Sequence, residues 1–167
     1  MVINNKNDTN NMSEEQQPLS KLQMTENRLD ESKAKLTSQV KALNHKLGKF
    51  SELPELQQEV YGFKQDTIDA YNSALTLLAK MNSQYTKDYN KQFIDYKNGT
   101  HKRSNNFRYD DRHIDMIISR DKAEEKLIIN IIDIHCKFIR ETLKNIDDII
   151  WGIKNRIELY KLINRVE

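Results

Sequence analysis

The chain has 167 residues, a length that fits one domain or one domain with an arm. Only 37% of the residues are hydrophobic and 31% are charged, so a compact core would be thin and elongated, self-associating helices are favoured. Four glycines and two prolines argue against a turn-rich β fold, and a net charge of +2 confines any nucleic-acid affinity to local patches. We therefore predict an all-α fold of a few long helices in a hairpin-like arrangement.

Several kinds of segment and site are missing from the sequence. It contains no run of about 18 apolar residues and no apolar region of a signal peptide, so we expect a cytoplasmic protein without a membrane partner. Cys136 is alone and the four histidines are scattered without metal-ligand spacing. We accordingly expect no catalytic residues, no metal, no cofactor and no enzymatic activity.

The first third of the chain divides into a tail and a heptad-bearing segment. Residues 1–17 are rich in Asn, Glu and Gln, and we expect them to be a disordered tail. Residues 18–50 predict an N-terminal helix with Pro18 in its first turn. One heptad row is apolar throughout: Leu22, Leu29, Leu36, Leu43 and Phe50. The other row is interrupted by Glu26 and Lys33, so a helix packed on its own protein and an intermolecular zipper both stay open.

A second long helix is predicted from about Pro54 to Lys97, after an interruption at Gly48 and residues 51–54. Its apolar positions are spaced three and four apart: Leu56, Val60, Phe63, Ile68, Tyr71, Ala74, Leu75, Leu78 and Met81. Four rings further along share one face: Tyr85, Tyr89, Phe93 and Tyr96. This face is either an aromatic packing stripe or a platform on which bases stack.

The second helix is expected to stop at Asn98-Gly99, because both residues tolerate positive φ and glycine usually follows a helix end. Residues 100–109 combine cations, amides and two rings, a mixture that suits single-stranded nucleic acid. The alternative is a solvated loop between helices. The candidate phosphate contacts are Lys97, Lys102, Arg103 and Arg108. The candidate stacking residues are Tyr96, Phe107 and Tyr109.

A third helical region is predicted to begin near Asp110-Asp111, where acidic residues favour a helix N-terminus. Arg112-His113 beside them fits a capping cluster better than an acid–base pair. A wide isoleucine-rich stripe follows, with two adjacent apolar rows that can contact two neighbours. We expect assembly through its C-terminal part: Ile146, Ile149, Ile150, Trp151, Ile153, Ile157 and Ile163. Gly152 within it predicts a kink, a helix break or a close helix approach.

Three short motifs follow one another in the second half of the chain. Residues 91–99 contain Ile94-Asp95-Tyr96 and close on glycine. Residues 117–122 place an apolar pair before Asp-Lys, and residues 151–158 begin with Trp-Gly-Ile-Lys. In order and approximate spacing, these motifs resemble those of the UvsY recombination mediators of T-even-type phages, over roughly residues 60–167.

The chain departs from that family pattern at several positions. Phe93 stands where the family tends to carry a basic residue, and Lys97 replaces an aromatic one. Ile149-Ile150 stands in place of an Arg-Gly pair, so no role of that arginine carries over. The heptad-bearing first fifty residues look like an addition to the family's core.

The resemblance implies a non-enzymatic helical mediator that forms a homo-oligomeric ring or bundle, expected to be a hexamer or heptamer. Such a protein binds single-stranded DNA, helps displace single-strand-binding protein and loads a RecA-like recombinase. The DNA motif would fall on Lys91, Asp95, Tyr96 and Lys97, and assembly on the C-terminal helix. A phage-encoded protein would act in the host cytoplasm.

We therefore expect residues 54–167 to form a helical domain for single-stranded DNA binding and oligomerisation. The rival hypothesis is a coiled-coil structural or assembly protein, such as a scaffold or virion component, without nucleic-acid binding. That rival accounts for the heptad, the low glycine content and the isoleucine stripe, but it accounts for the basic aromatic loop only as solvation.

Overall fold

The computed structural model describes residues 20–105 and 107–164, and within these ranges the chain forms four α-helices and no strand. The helices are α1 (Lys21–Lys46), α2 (Leu53–Asn98), α3 (Asp111–Asp121) and α4 (Ala123–Ile163), with a 3-10 turn at Phe50–Glu52. The predicted all-α fold with a few long helices is confirmed. The predicted tail, residues 1–17, lies outside the described residues.

The helix boundaries follow from local chemistry. α1 begins at Lys21 because Ser20 caps it: the Ser20 hydroxyl accepts from the Gln23 amide and the Gln23 side chain accepts from the Ser20 amide, whereas Pro18 lies outside the described residues. α1 ends at Lys46, before Gly48 and short of the predicted end at residue 50. α2 begins with Pro54 in its first turn, where a missing amide proton costs no helical hydrogen bond.

α1, α2 and α4 pack into a three-helix bundle. α4 runs antiparallel to α2, and Lys64 of α2 pairs with Asp147 of α4 at 2.6 Å. α1 runs parallel to α4: Ser32 contacts His135 near the middle of the bundle, and the Leu47 carbonyl accepts a hydrogen bond from Arg156 near its end. α1 and α2 therefore both cover α4.

The isoleucine stripe of α4 is the centre of this bundle. Ile139, Ile146, Ile149 and Ile153 are each no more than 2% exposed. They pack against buried residues of the other two helices: Leu36, Leu43, Leu53, Leu56, Val60 and Phe63. The apolar heptad row of α1 is thus used inside the chain over Leu22 to Leu43, with Leu22 and Leu29 joining a neighbouring cluster around Ile128 and Ile132. This arrangement agrees with the interpretation of a helix packed on its own protein.

Two expectations need correction in view of this core. Ile146, Ile149, Ile150 and Ile153 were expected to form an assembly surface, but in the folded chain they are covered by α1 and α2. One packed helix would cover only part of so wide a stripe, whereas here two helices cover it. Residues 18–50 and 54–167 were expected as separate units, yet they contribute to one core, so the turn between them is not a boundary between independent cores.

Beyond the start of α1, α2 continues as one side of a two-helix arm. Its C-terminal part packs against α3, which runs antiparallel to it, with Tyr96, Ile114 and Ile118 buried between them. α3 and α4 are separated by Lys122 alone, whose backbone leaves the helical region at φ −105° and ψ 14°. Residues 99–110 connect the two sides of the arm at its tip.

Gly152 within α4 and Lys122 just before it both differ from what the sequence indicated. Gly152 causes no break, since α4 is one helix from Ala123 to Ile163, and a Cβ there would lie 3.9 Å from Leu47, an ordinary packing distance. Lys122 was not singled out, yet it is only 4% exposed. Its ammonium lies 2.8 Å from Glu125 and 5.5 Å from the centre of the Tyr85 ring, so charge and ring together hold it at the base of the arm.

Candidate nucleic-acid interface

The tip of the arm begins where α2 ends. Gly99 has a left-handed φ of 74°, its amide donates to the Tyr96 carbonyl at 3.1 Å, and the Thr100 amide donates to the Asp95 carbonyl at 2.9 Å. This is the hydrogen-bond pattern of a glycine-terminated helix, and the predicted stop is confirmed. The Asp95 side chain accepts from the Thr100 hydroxyl at 3.4 Å, so Asp95 serves the helix end and is a poor candidate for contact with phosphate.

Tyr96, a predicted stacking residue, is buried in the tip. It is 2% exposed, its ring stacks on His101 with centroids 3.9 Å apart, and Tyr109 meets it edge-on at 5.8 Å. A base cannot reach either face of this ring without opening the tip. The expectation that Tyr96 stacks on DNA is therefore wrong for this conformation, and its role is to fix the returning loop against α2.

The three rings preceding Tyr96 also serve packing. Tyr85, Tyr89 and Phe93 stack in succession with centroids 6.3 Å apart, and all three are half-buried. The Tyr89 hydroxyl donates to the Asp115 carboxylate of α3, and this hydrogen bond, followed by burial, raises the pKa of Tyr89 to about 12. The stripe from Tyr85 to Tyr96 is therefore the surface that holds α3, and of the two interpretations the packing stripe fits.

Ser104 organises the loop. It is 2% exposed, and its hydroxyl lies 2.7 Å from the Gly99 carbonyl and 2.6 Å from the His101 carbonyl. Its amide donates to the His101 carbonyl at 2.8 Å, and its own carbonyl accepts from the Phe107 amide at 2.7 Å. Asn105 adopts a left-handed φ of 44°, which asparagine tolerates. These hydrogen bonds within the loop fix the conformation of its backbone at the residues that form them.

The other two predicted stacking residues differ in exposure. Phe107 is 63% exposed and touches Tyr109 edge-on, with centroids 5.0 Å apart. Tyr109 is half-buried between Phe107 and Tyr96. A base can consequently reach the ring of Phe107, and Tyr109 packs against that ring edge-on.

The candidate cations fall into two groups. Lys97 and Arg103 are engaged by carboxylates of α3: Lys97 lies 3.1 Å from Asp111, and Arg103 lies 2.7 Å from Asp121. Lys91, Lys102 and Arg108 are exposed, and among residues 20–105 and 107–164 they have no ion-pair partner. Both groups leave their charges at the surface, where phosphates can approach.

A shallow groove of about 450 Å³ opens beside the loop. Its lining residues are Gln92, His101, Lys102, Arg103 and Asp121. The groove brings two candidate cations together with one carboxylate and one amide. It provides hydrogen-bond donors, and its carboxylate pairs with Arg103 at 2.7 Å.

α3 supplies the residues that sequence analysis missed. Asp111 was interpreted as favouring a helix N-terminus and Asp121 as part of a motif, but neither was predicted to pair with the loop. The capping interpretation of the neighbouring cluster is confirmed. Asp110 is the N-cap, accepts from the His113 amide at 3.0 Å and from its ring at 2.6 Å, and these bonds lower the pKa of Asp110. Pairing across a loop leaves no periodic signal in the sequence.

At the opposite end of the molecule, the predicted assembly residues that are not in the core remain accessible. Trp151 is 68% exposed and Ile163 is 58% exposed, whereas Ile157 is half-buried. The last turns of α4 expose further apolar side chains, namely Leu159, Tyr160 and Leu162. Phe50 lies near Tyr160, with ring centroids 6.3 Å apart. The apolar surface at this end therefore includes residues that the sequence analysis did not single out.

No protein-family model, no curated protein and no solved structure matches this chain. The family resemblance thus rests on the three motifs alone. In the part of the chain that the structure describes, no group of three or more His, Cys, Asp or Glu side chains is placed to hold a metal ion. None of the described helices combines the length and apolarity needed to span a bilayer.

Proposed function

We propose that this protein is a non-enzymatic, single-stranded-DNA-binding recombination mediator whose DNA contacts lie at the tip of the two-helix arm. The observation that carries the proposal is the charge of the tip. Residues 97–109 hold four cations and no carboxylate, in a chain whose net charge is only +2. Clustered cations neutralise neighbouring phosphates and release their counterions, which supplies affinity without sequence preference.

The preference for single strands over duplex follows from Phe107. An exposed ring is useful to a nucleic-acid-binding surface when unpaired bases can stack on it, and every base offers such a face. The tip is also small, so one protomer contacts only a few nucleotides. Three accessible cations (Lys91, Lys102 and Arg108) and two ion-paired ones (Lys97 and Arg103) provide the phosphate contacts in this proposal.

The mediator role comes from the resemblance. In this role the protein helps displace single-strand-binding protein and loads a RecA-like recombinase. Assembly into a homo-oligomer, a ring of six or seven in the family, would multiply weak contacts by effective concentration. The exposed apolar residues at the end of α4 support self-association, because surfaces of this kind are commonly covered by a partner.

A second candidate function is a coiled-coil structural or assembly protein without nucleic-acid binding. The observation that favours it is the same exposed apolar end, including Trp151 and Ile163, together with two helices of 46 and 41 residues. On this hypothesis the cations at the tip only keep the arm solvated. The two hypotheses therefore differ in what the tip does.

The test is a titration of labelled single-stranded oligonucleotides of mixed sequence at several salt concentrations. We expect binding that is stronger than to duplex and that weakens with salt, with a log–log slope of about −0.7 per phosphate neutralised. Replacing the two accessible loop cations, Lys102→Ala with Arg108→Ala, should reduce affinity and flatten the slope by about 1.4.

The matched control is Lys35→Ala with Lys41→Ala on α1, which removes the same charge from exposed helical positions far from the tip. Its slope should stay within the error of the unmodified protein. No binding at low salt, or equal losses in the two double variants, would favour the structural alternative, since the tip would then have no special role.

A further inference from the structure

The two ion pairs of the tip share an arrangement. In each, the cation belongs to the carboxylate-free segment 97–109 and the carboxylate belongs to α3. The tighter pair joins Arg103 and Asp121 at 2.7 Å. Asp121 occupies the groove beside the loop, and its side chain is 30% exposed, whereas that of Arg103 is 67% exposed. A carboxylate therefore stands where an approaching phosphate would meet the guanidinium.

Carboxylate and phosphate compete for the same face of a guanidinium, because both present paired oxygens to its N–H groups. An exposed ion pair of this kind is weak, so a polyanion can displace the carboxylate. The exchange has a thermodynamic consequence. An arginine already neutralised by a carboxylate has few counterions to release, so its contact with phosphate adds little to the salt dependence of binding.

We propose that Asp121 is an internal competitor for phosphate: it occupies Arg103 in the free protein and is displaced when a strand enters the groove. The competition lowers the affinity for isolated phosphates and leaves Arg103 available to a ligand with several phosphates. This inference rests on the proposed function of the tip. Arg120 is the other cation near this carboxylate, with its Nε 3.6 Å from Asp121, and it is 78% exposed.

The experiment is the Asp121→Asn substitution, which keeps the shape of the side chain and removes its charge. Affinity for a single-stranded oligonucleotide should rise roughly twofold to fivefold at low salt, the range expected for releasing one exposed ion pair. The log–log salt slope should steepen by about 0.7, as one more cation becomes free to neutralise phosphate. Asp121→Glu, which retains a carboxylate, should stay near the unmodified protein.

The matched control is Asp147→Asn, which changes the net charge equally and also breaks an ion pair between helices, that with Lys64 at 2.6 Å, but in the bundle. It should leave affinity and slope unchanged. A second test combines Asp121→Asn with Arg103→Gln; the gain should fall by more than half in that background, because the released arginine is absent.

The outcomes separate this inference from the proposed function. If the unmodified protein binds with the expected salt dependence and Asp121→Asn changes neither affinity nor slope, the competitor role is overturned and the proposed function stands. Weaker binding by a folded Asp121→Asn protein would also overturn it, since Asp121 would then be holding Arg103 in a productive position. If no variant binds single-stranded DNA, both proposals fail.

Discussion

At the scale of single residues, two aromatic rings of the tip have different surroundings, although the sequence predicted the same stacking role for both. Tyr96 is buried between His101 and Tyr109, whereas Phe107 is 63% exposed. The sequence places both in a basic, aromatic-rich segment and offers no means of ranking them. The difference arises because Gly99 turns the chain back, which brings His101 over the face of Tyr96.

This difference predicts opposite effects of two truncations. Tyr96→Ala should cost about 3–5 kcal/mol of stability, the range for a buried ring, and weaken DNA binding only because the tip loses its shape. Phe107→Ala should leave stability nearly unchanged and weaken binding by about 1–3 kcal/mol if a base stacks there. Chemical denaturation and oligonucleotide titration of both variants provide the check. Normal DNA binding by Phe107→Ala would remove Phe107 from the interface.

At the scale of elements, the contact between α1 and α4 contains a titratable group. His135 is 4% exposed, and its Nε2 lies 3.3 Å from the Ser32 hydroxyl of α1. Its Nδ1 is buried and has no hydrogen-bond partner in the described ranges. Burial lowers the pKa of His135, the charge of Lys33 lowers it further, and Asp30 opposes the shift. The α1–α4 contact therefore favours the neutral imidazole.

The sign of the pH effect follows from that shift. Because the pKa of His135 in the folded chain is below its ordinary value of 6.5, the unfolded chain binds more protons, and stability falls as pH drops below about 6.5. The loss is at most about 1.4 kcal/mol per pH unit. Thermal unfolding between pH 7.5 and pH 5 should show this decline, with His135→Gln flattening it. His45→Gln, at an exposed position of α1, should leave the decline intact.

Two helix boundaries were predictable from the sequence, whereas the division of the third helical region at Lys122 and the partners of the helices were not. Gly99 and Asp110 act within a few residues of themselves, so the end of α2 and the start of α3 follow from local chemistry. The apolar rows of α1 and α4 indicate only that each helix is covered. Whether Leu36 covers Ile139 of its own chain or a row of another chain depends on the turn at residues 47–52, where the sequence predicts an interruption but not the direction in which the chain continues.

The candidate site was predictable in its composition but not in its pairing. Lys102, Arg103 and Arg108 were identified from a cluster of cations near rings, and the structure leaves all three exposed. The sequence could not show that Asp121 reaches Arg103, because these residues are 18 positions apart, one at the end of α3 and the other in the loop. Accessibility and pairing are properties of the tertiary structure.

At the scale of the whole molecule, neighbouring residues of α4 have different roles. Ile153 is 1% exposed and belongs to the core, whereas Trp151 is 68% exposed. The sequence grouped them as one assembly surface because both lie in the same apolar stretch. Folding of the chain separates them, since only one of the two points toward α1 and α2.

Substitution of each residue should reveal these roles. Ile153→Ala should lower the free energy of unfolding by about 2–5 kcal/mol, because it leaves a cavity among α1, α2 and α4. Trp151→Ala should change stability by less than about 0.5 kcal/mol and should reduce the molecular mass measured by sedimentation. A Trp151→Ala protein with unaltered mass would place self-association, if present, at another surface.

The late start of α1 has a consequence for how the molecule holds together. α1 begins opposite Met81, so within residues 20–105 and 107–164 no third helix covers the last turns of α2, roughly 25 Å of helix, which pack against α3, Lys122 and the returning loop. With fewer apolar side chains buried there, this end opens at a lower free energy than the bundle does. Among the described residues, the basic tip is thus carried by a smaller buried cluster than the one that holds the bundle. A DNA strand that binds the tip would have to supply the order that a third helix supplies in the bundle.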